Sequence, residues 1–210
     1  MPPPPLSTRP HHVQALIRRL NTPQKVQSWF RSLHYNTDET MYGLPMVVRR
    51  GRAHCLEGAL SAAAILEHYG FPPLILDLES EDLLDHTLFI FQRNGKWGAV
   101  GKSRDIGLDG RKPVYKTVEA LARSYVIPYI DAKAHITSYG VLDLRTLKNS
   151  SWRTSHRNVW YVEDTLRHIK HRKIFTSKTV VQRWRQRFIE FKKAHPHQQP
   201  DYYPHQESWI

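Results

Sequence analysis

The chain has 210 residues, 40% of them hydrophobic, which suffices for one buried core and falls short of two independent domains. Its formal charge of +12 favours polyanions or acidic surfaces as neighbours and says nothing of fold. A single cysteine excludes an internal disulfide framework and suggests a reducing, cytoplasmic setting, no apolar run approaches the roughly 18 residues of a membrane span, and the opening MPPPPLSTRPHH lacks an apolar secretion core.

Residues 1–10 read as a disordered, proline-rich arm. Val13, Leu16, Ile17 and Leu20 predict a short helix over 12–20, and Thr22 caps a second one with Pro23 in its first turn. Residues 36–52 read as loop, broken by Gly43, Pro45 and Gly51. A helix over 53–69 follows, stopped by Gly70 and Phe71-Pro72-Pro73. Strands are expected over 74–78, 86–91 and 97–101, the last two joined by QRNGK, whose Asn-Gly pair signals a two-residue hairpin turn. A helix over 117–125 and a strand over 139–144 complete a core spanning 11–150. Residues 151–195 read as a basic helical extension, with helices over 159–169, capped by Asn158, and over 179–194. Residues 196–210 read as a mobile tail. The pattern predicts a single α+β domain.

Cys55 stands where the basic loop RRGR turns into the alanine-rich helix. Its helical neighbours at spacings of three, four, seven and eleven are Gly58, Ala59, Ala62 and Leu66, a small-residue stripe that another layer can approach closely. Nearly all the remaining positions are apolar, which marks a central helix. The first turn aims free N–H groups and the positive end of the dipole at the thiol, favouring thiolate. Glu57 either neutralises Arg52 or caps the helix.

A nucleophilic cysteine needs a base. His54 is adjacent but about 100° away around a helix. His86 opens the strand HTLFIF, on the face shared with Leu88 and Ile90, a face expected to pack on the small-residue stripe. A two-residue Asn94-Gly95 turn pairs Arg93 with Lys96; continued, that register sets Ser103 opposite His86 and Asp105 on the diagonal. Either would orient the imidazole.

The stretches GRAHCLEGALSAAAILEHYGFPPLIL, DHTLFIF and GKWGAV, over roughly residues 47 to 105, resemble the transglutaminase-like superfamily of papain-type cysteine enzymes. PVYKTVEALARSYV and NVWYVEDTL extend the resemblance to a bacterial branch of it. The resemblance implies a papain-like fold, with a central Cys-bearing helix on a small antiparallel sheet and helices at both ends. It also implies a thiolate nucleophile at Cys55, a general base and acid at His86, and an acyl-thioester intermediate. The superfamily's aspartate position falls on Gly101 here, which leaves Ser103 or Asp105 as the third group.

The expected substrate is a peptide or amide, a protein included, acted on by a peptidase, amidase or acyl transferase. No cofactor or metal is expected, since one cysteine and scattered histidines lack zinc-site spacing. The final helix carries Val181, Trp184, Phe188 and Phe191 on one stripe and Arg183, Arg185, Arg187 and Lys192 around the rest. It reads as a docking helix with a basic solvated face, or as a patch for nucleic acid or another anionic surface. The latter would suit a binding protein that kept the fold and lost turnover.

Overall fold

The computed structural model describes residues 2–210. Helix α1 (His11–Arg19) and helix α2 (Pro23–Ser32) come first, the latter capped by the Thr22 hydroxyl, which accepts from Lys25 N–H at 3.3 Å. Strand β1 (His34–Tyr35) pairs in parallel with β2 (Arg52–Ala53). Between them lies α3 (Leu44–Arg50), in the stretch expected to be loop. There the breakers act as punctuation: Gly43 is the N-cap, Pro45 sits in the first turn, and Gly51, at φ +64°, ends the helix in the left-handed region.

Helix α4 (Cys55–Leu66) is the hub, continued by a 3-10 turn to Tyr69 and stopped by Gly70 at φ +81°. Every residue from Leu56 to Leu66 is buried. Its apolar circumference leaves no face for water, and each large aliphatic side chain it buries contributes about 1.5–3 kcal/mol. Gly58 is required by contact: a Cβ there would lie 2.9 Å from Lys102 Cβ.

The sheet follows: β3 (Leu74–Ser80), β4 (His86–Arg93), β5 (Lys96–Val100), β6 (Arg111–Tyr115), β7 (Ile136–Asp143) and β8 (Arg172–Lys173). All six run antiparallel to their neighbours in the order β6-β5-β4-β3-β7-β8. The hairpin register is as expected, with Arg93 opposite Lys96 and with Asn94 and Gly95 at φ +51° and +70°. Helices α5 (Val118–Arg123), α6 (Val126–Tyr129), α7 (Trp160–His168) and α8 (Lys178–Ala194) complete the chain. No helix among the described residues is long and apolar enough to cross a membrane.

Helices cover both faces of the sheet. One face, carrying Ile75, Phe89 and Phe91, packs on α4 and, through it, on α1, α2, α3 and α7. The other, carrying Leu76, Leu78, Leu88 and Ile90, packs on α5, α6 and Trp184 of α8. The stripe on α4 therefore meets the Phe89 face of β4, not the His86–Leu88–Ile90 face expected from alternation. Both faces of this central strand are apolar, so alternation cannot rank them.

Three segments differ from their expected boundaries. The arm is docked: Leu6 packs on the core, and Arg9, only 5% exposed, donates to the Arg153 carbonyl at 2.8 Å. The 151–195 segment belongs to the domain, because Trp152 is fully buried, α7 packs into the α4 cluster and β8 extends the sheet. The tail closes the β6 edge through an Arg111–Trp209 bridge, and Tyr203 is buried beneath it. Asn158 does not cap α7; its Oδ1 instead accepts from Met41 N–H at 2.9 Å.

Candidate active site

Cys55, half-buried, sits at the first position of α4, and its Sγ lies 3.9 Å from the Asp85 carbonyl oxygen at the entry to β4. A cleft of about 850 Å³ opens there. It is lined by all four residues singled out from the sequence, Cys55, His86, Ser103 and Asp105, and also by His54 and Tyr35.

His54 and His86 line the same cleft as the thiol, and both imidazoles bear on its charge. His86 Nε2 lies 2.8 Å from the Leu108 carbonyl oxygen, and His54 Nε2 lies 2.7 Å from that of Thr40. A carbonyl only accepts, so each Nε2 carries a proton, and Nδ1 of each ring is the nitrogen left to serve the sulfur. Burial alone would raise the Cys55 pKa; the hydrogen bonds and positive charge of His54 and His86 outweigh it and hold the thiol well below its ordinary value. Burial likewise opposes charge on His54, but the sulfur, Glu57 and the Thr40 carbonyl raise its pKa to about 9.

His54 escaped the sequence reasoning because the 100° offset applies within a helix. His54 is instead the N-cap, with extended backbone at φ −90° and ψ −177°. Tyr35 was also missed: its phenol stands by the Cys55 backbone N–H, and burial followed by the nearby sulfur raises its pKa to about 12, so it stays a hydroxyl donor.

Neither Ser103 nor Asp105 orients His86. Ser103 Oγ accepts from Asp105 N–H at 3.1 Å, while the Asp105 carboxylate accepts from Gly107 N–H at 2.8 Å and from the Tyr203 hydroxyl at 3.2 Å. The hairpin ladder ends at Phe89–Val100, so Ser103 never comes opposite His86. The cause is Gln27, fully buried on α2. Its amide donates to the Gly101 carbonyl at 2.9 Å, and its Oε1 accepts from Gly101 and Gly110 N–H at 3.0 and 3.1 Å. Lys102 Nζ then donates to the Phe30 and Leu33 carbonyls at 2.9 and 2.6 Å, at the end of α2. With Arg111 donating to the Gly107 carbonyl at 2.6 Å, the loop over 101–110 is pinned so that Leu108 offers its oxygen to His86.

Glu57, 1% exposed, organises the opposite wall. It accepts from Asn36 Nδ2, Thr40 Oγ1, Tyr42 N–H and His54 N–H at 2.8–3.2 Å. Of the two roles open to it, it fills the cap, since Arg52 pairs with Asp38. Among the described residues no cluster of three or more His, Cys, Asp or Glu has a metal-holding arrangement.

No protein-family model matches the chain, and a comparison with curated proteins finds no relative.

Proposed function

We propose that this chain is a papain-like cysteine enzyme of the transglutaminase type, performing thiol-dependent acyl chemistry on an amide as a peptidase, amidase or acyl transferase. The observation that carries this reading is the pair of imidazoles at Cys55, each with Nε2 held by a backbone carbonyl. A merely structural buried cysteine needs no such flank.

In this reading the Cys55 thiolate attacks the substrate carbonyl carbon. The oxyanion is met by the Cys55 N–H at the head of α4 and by the Tyr35 hydroxyl. His86 passes a proton to the leaving amine as the C–N bond breaks, leaving an acyl thioester on Sγ. It then takes a proton from the water or amine that resolves the thioester. His54, charged at neutral pH, keeps the sulfur ionised while His86 cycles.

The test is alkylation of Cys55 by iodoacetamide as a function of pH, with Cys55→Ala as the blank. The expected midpoint lies well below the unperturbed value of about 8.5. A midpoint at or above that value would overturn the proposal. An unreactive thiol combined with steeply salt-dependent anion binding would favour a binding protein using the exposed Arg183, Arg187 and Lys193 of α8.

A further inference from the structure

The cleft at Cys55 opposes the charge of the chain around it. Of 31 Lys and Arg residues only three line it, against seven of the 19 acids. Besides the charged His54, which faces the thiol, the three Lys and Arg side chains are engaged: Arg104 lies over the Tyr35 ring at 5.1 Å, Arg167 pairs with Glu163 at 2.9 Å, and Lys192 donates to the Gln198 carbonyl at 2.7 Å.

Three of the acids are built differently. Asp82, Asp85 and Asp131 have no ion-pair partner among the described residues. Each uses a single oxygen for local bonds. Asp82 Oδ1 accepts from the Ser80 hydroxyl at 2.7 Å and from Leu84 N–H at 3.3 Å, and Asp85 Oδ1 accepts from Ser80 N–H at 3.2 Å. Asp131 Oδ1 accepts from Lys133 and Ala134 N–H at 2.7 and 2.8 Å. The three Oδ2 atoms hold nothing within the protein. Ser80 thus anchors two carboxylates at once, across a turn in which Leu83 occupies the left-handed region at φ +61°.

An independent unpaired polar group lines the same cleft. Thr87, 5% exposed, lines the cleft opposite Asp77 in the ladder, and its Oγ1 has no hydrogen-bond partner. A buried hydroxyl without a partner is costly unless a ligand supplies one.

We infer that the substrate held against Cys55 carries a cationic group, an ammonium or guanidinium, received by the carboxylates of Asp82, Asp85 and Asp131. The inference deepens the proposed cysteine chemistry and rests on it.

The test uses Cys55 as its own reporter, with three methanethiosulfonates: the neutral methyl reagent, the cationic trimethylammonioethyl reagent and the anionic sulfonatoethyl reagent. In each the thiolate attacks the sulfenyl sulfur, the S–S bond breaks, and methanesulfinate leaves with the electron pair as the mixed disulfide forms. Rates are normalised to those of 2-mercaptoethanol. At low ionic strength the cationic reagent is expected to react about tenfold faster than the anionic one, a preference that shrinks with added salt. Asp82→Asn combined with Asp131→Asn keeps both Oδ1 caps and is expected to cut the preference by about threefold. Equal normalised rates in the wild type, or a preference unchanged in the double variant, would overturn the inference and leave the activated thiol standing. Failure of the neutral reagent at neutral pH would instead remove the activated thiol, and the inference with it.

Discussion

Glu57→Gln is nearly isosteric, and its cost follows from four distances. Oε1 accepts from Thr40 Oγ1 and Tyr42 N–H at 2.8 and 3.0 Å, and Oε2 from Asn36 Nδ2 and His54 N–H at 2.9 and 3.2 Å. An amide has one oxygen, so one pair of donors must face an NH2 group. The cheaper placement is on the Oε1 side, where the Thr40 hydroxyl can turn to accept, leaving only Tyr42 N–H unpaired. That orphan costs about 1–3 kcal/mol, and the surviving bonds weaken from about 1.5–3 kcal/mol each with a charged acceptor towards about 1 with a neutral one. Because the amide is cheaper to bury than a carboxylate, the net destabilisation is about 2–4 kcal/mol. For a chain of this length that lowers the melting temperature by about 5–12 °C, measured by circular dichroism. The same variant loosens Thr40, whose carbonyl orients His54, so the alkylation midpoint of Cys55 should rise in parallel. A melting temperature within about 1 °C of wild type would refute the claim that four donors converge on a charge.

His54→Gln and His86→Gln should each shift the alkylation midpoint of Cys55 upward by about 1–3 pH units, since each removes a hydrogen bond and a positive charge from the sulfur; an unshifted midpoint in either would remove that ring from the site. Gly140→Ala would place a Cβ 2.8 Å from both His171 Nε2 and Ile169 Cδ1, so it should cost about 1–3 kcal/mol in urea unfolding and separate His171 from Asp77. The Asp77 hydrogen bond, opposed by burial, raises the His171 pKa, so the stability it contributes is complete below the unfolded value of about 6.5 and is lost as pH rises through the higher folded value. Urea unfolding between pH 6 and 9 should show that loss in wild type and lack it in His171→Gln.

What could be read from the sequence was local. Helix α4 announced itself because its pattern is apolar all round and Gly70 ends it, and the hairpin register followed from Asn94 and Gly95, which accept positive φ. Ser103 comes opposite His86 only if the ladder continues, whereas Gln27, 74 positions earlier in the chain, captures both backbone groups of Gly101 and ends it. The arm and tail look disordered by composition, yet Leu6 packs partly buried on the core and Arg9 and Tyr203 find buried places that composition does not record. Helix α3 was hidden by the residues that delimit it, since Gly43, Pro45 and Gly51 serve as caps as readily as breakers.

The least legible feature is also the most consequential for the chemistry. Two imidazoles are oriented by the Leu108 and Thr40 carbonyls, and a carbonyl oxygen leaves no trace in side-chain identity. A carboxylate behind a histidine fixes its tautomer and also stabilises its positive charge; a carbonyl does the first fully and the second weakly. Charge on the His54 ring is supported mainly by the sulfur itself and next by Glu57, and with two rings present the proposed thiolate keeps His54 as its cationic partner while His86 moves the proton. In the proposed chemistry the second histidine takes over part of the work that an aspartate behind the first would perform.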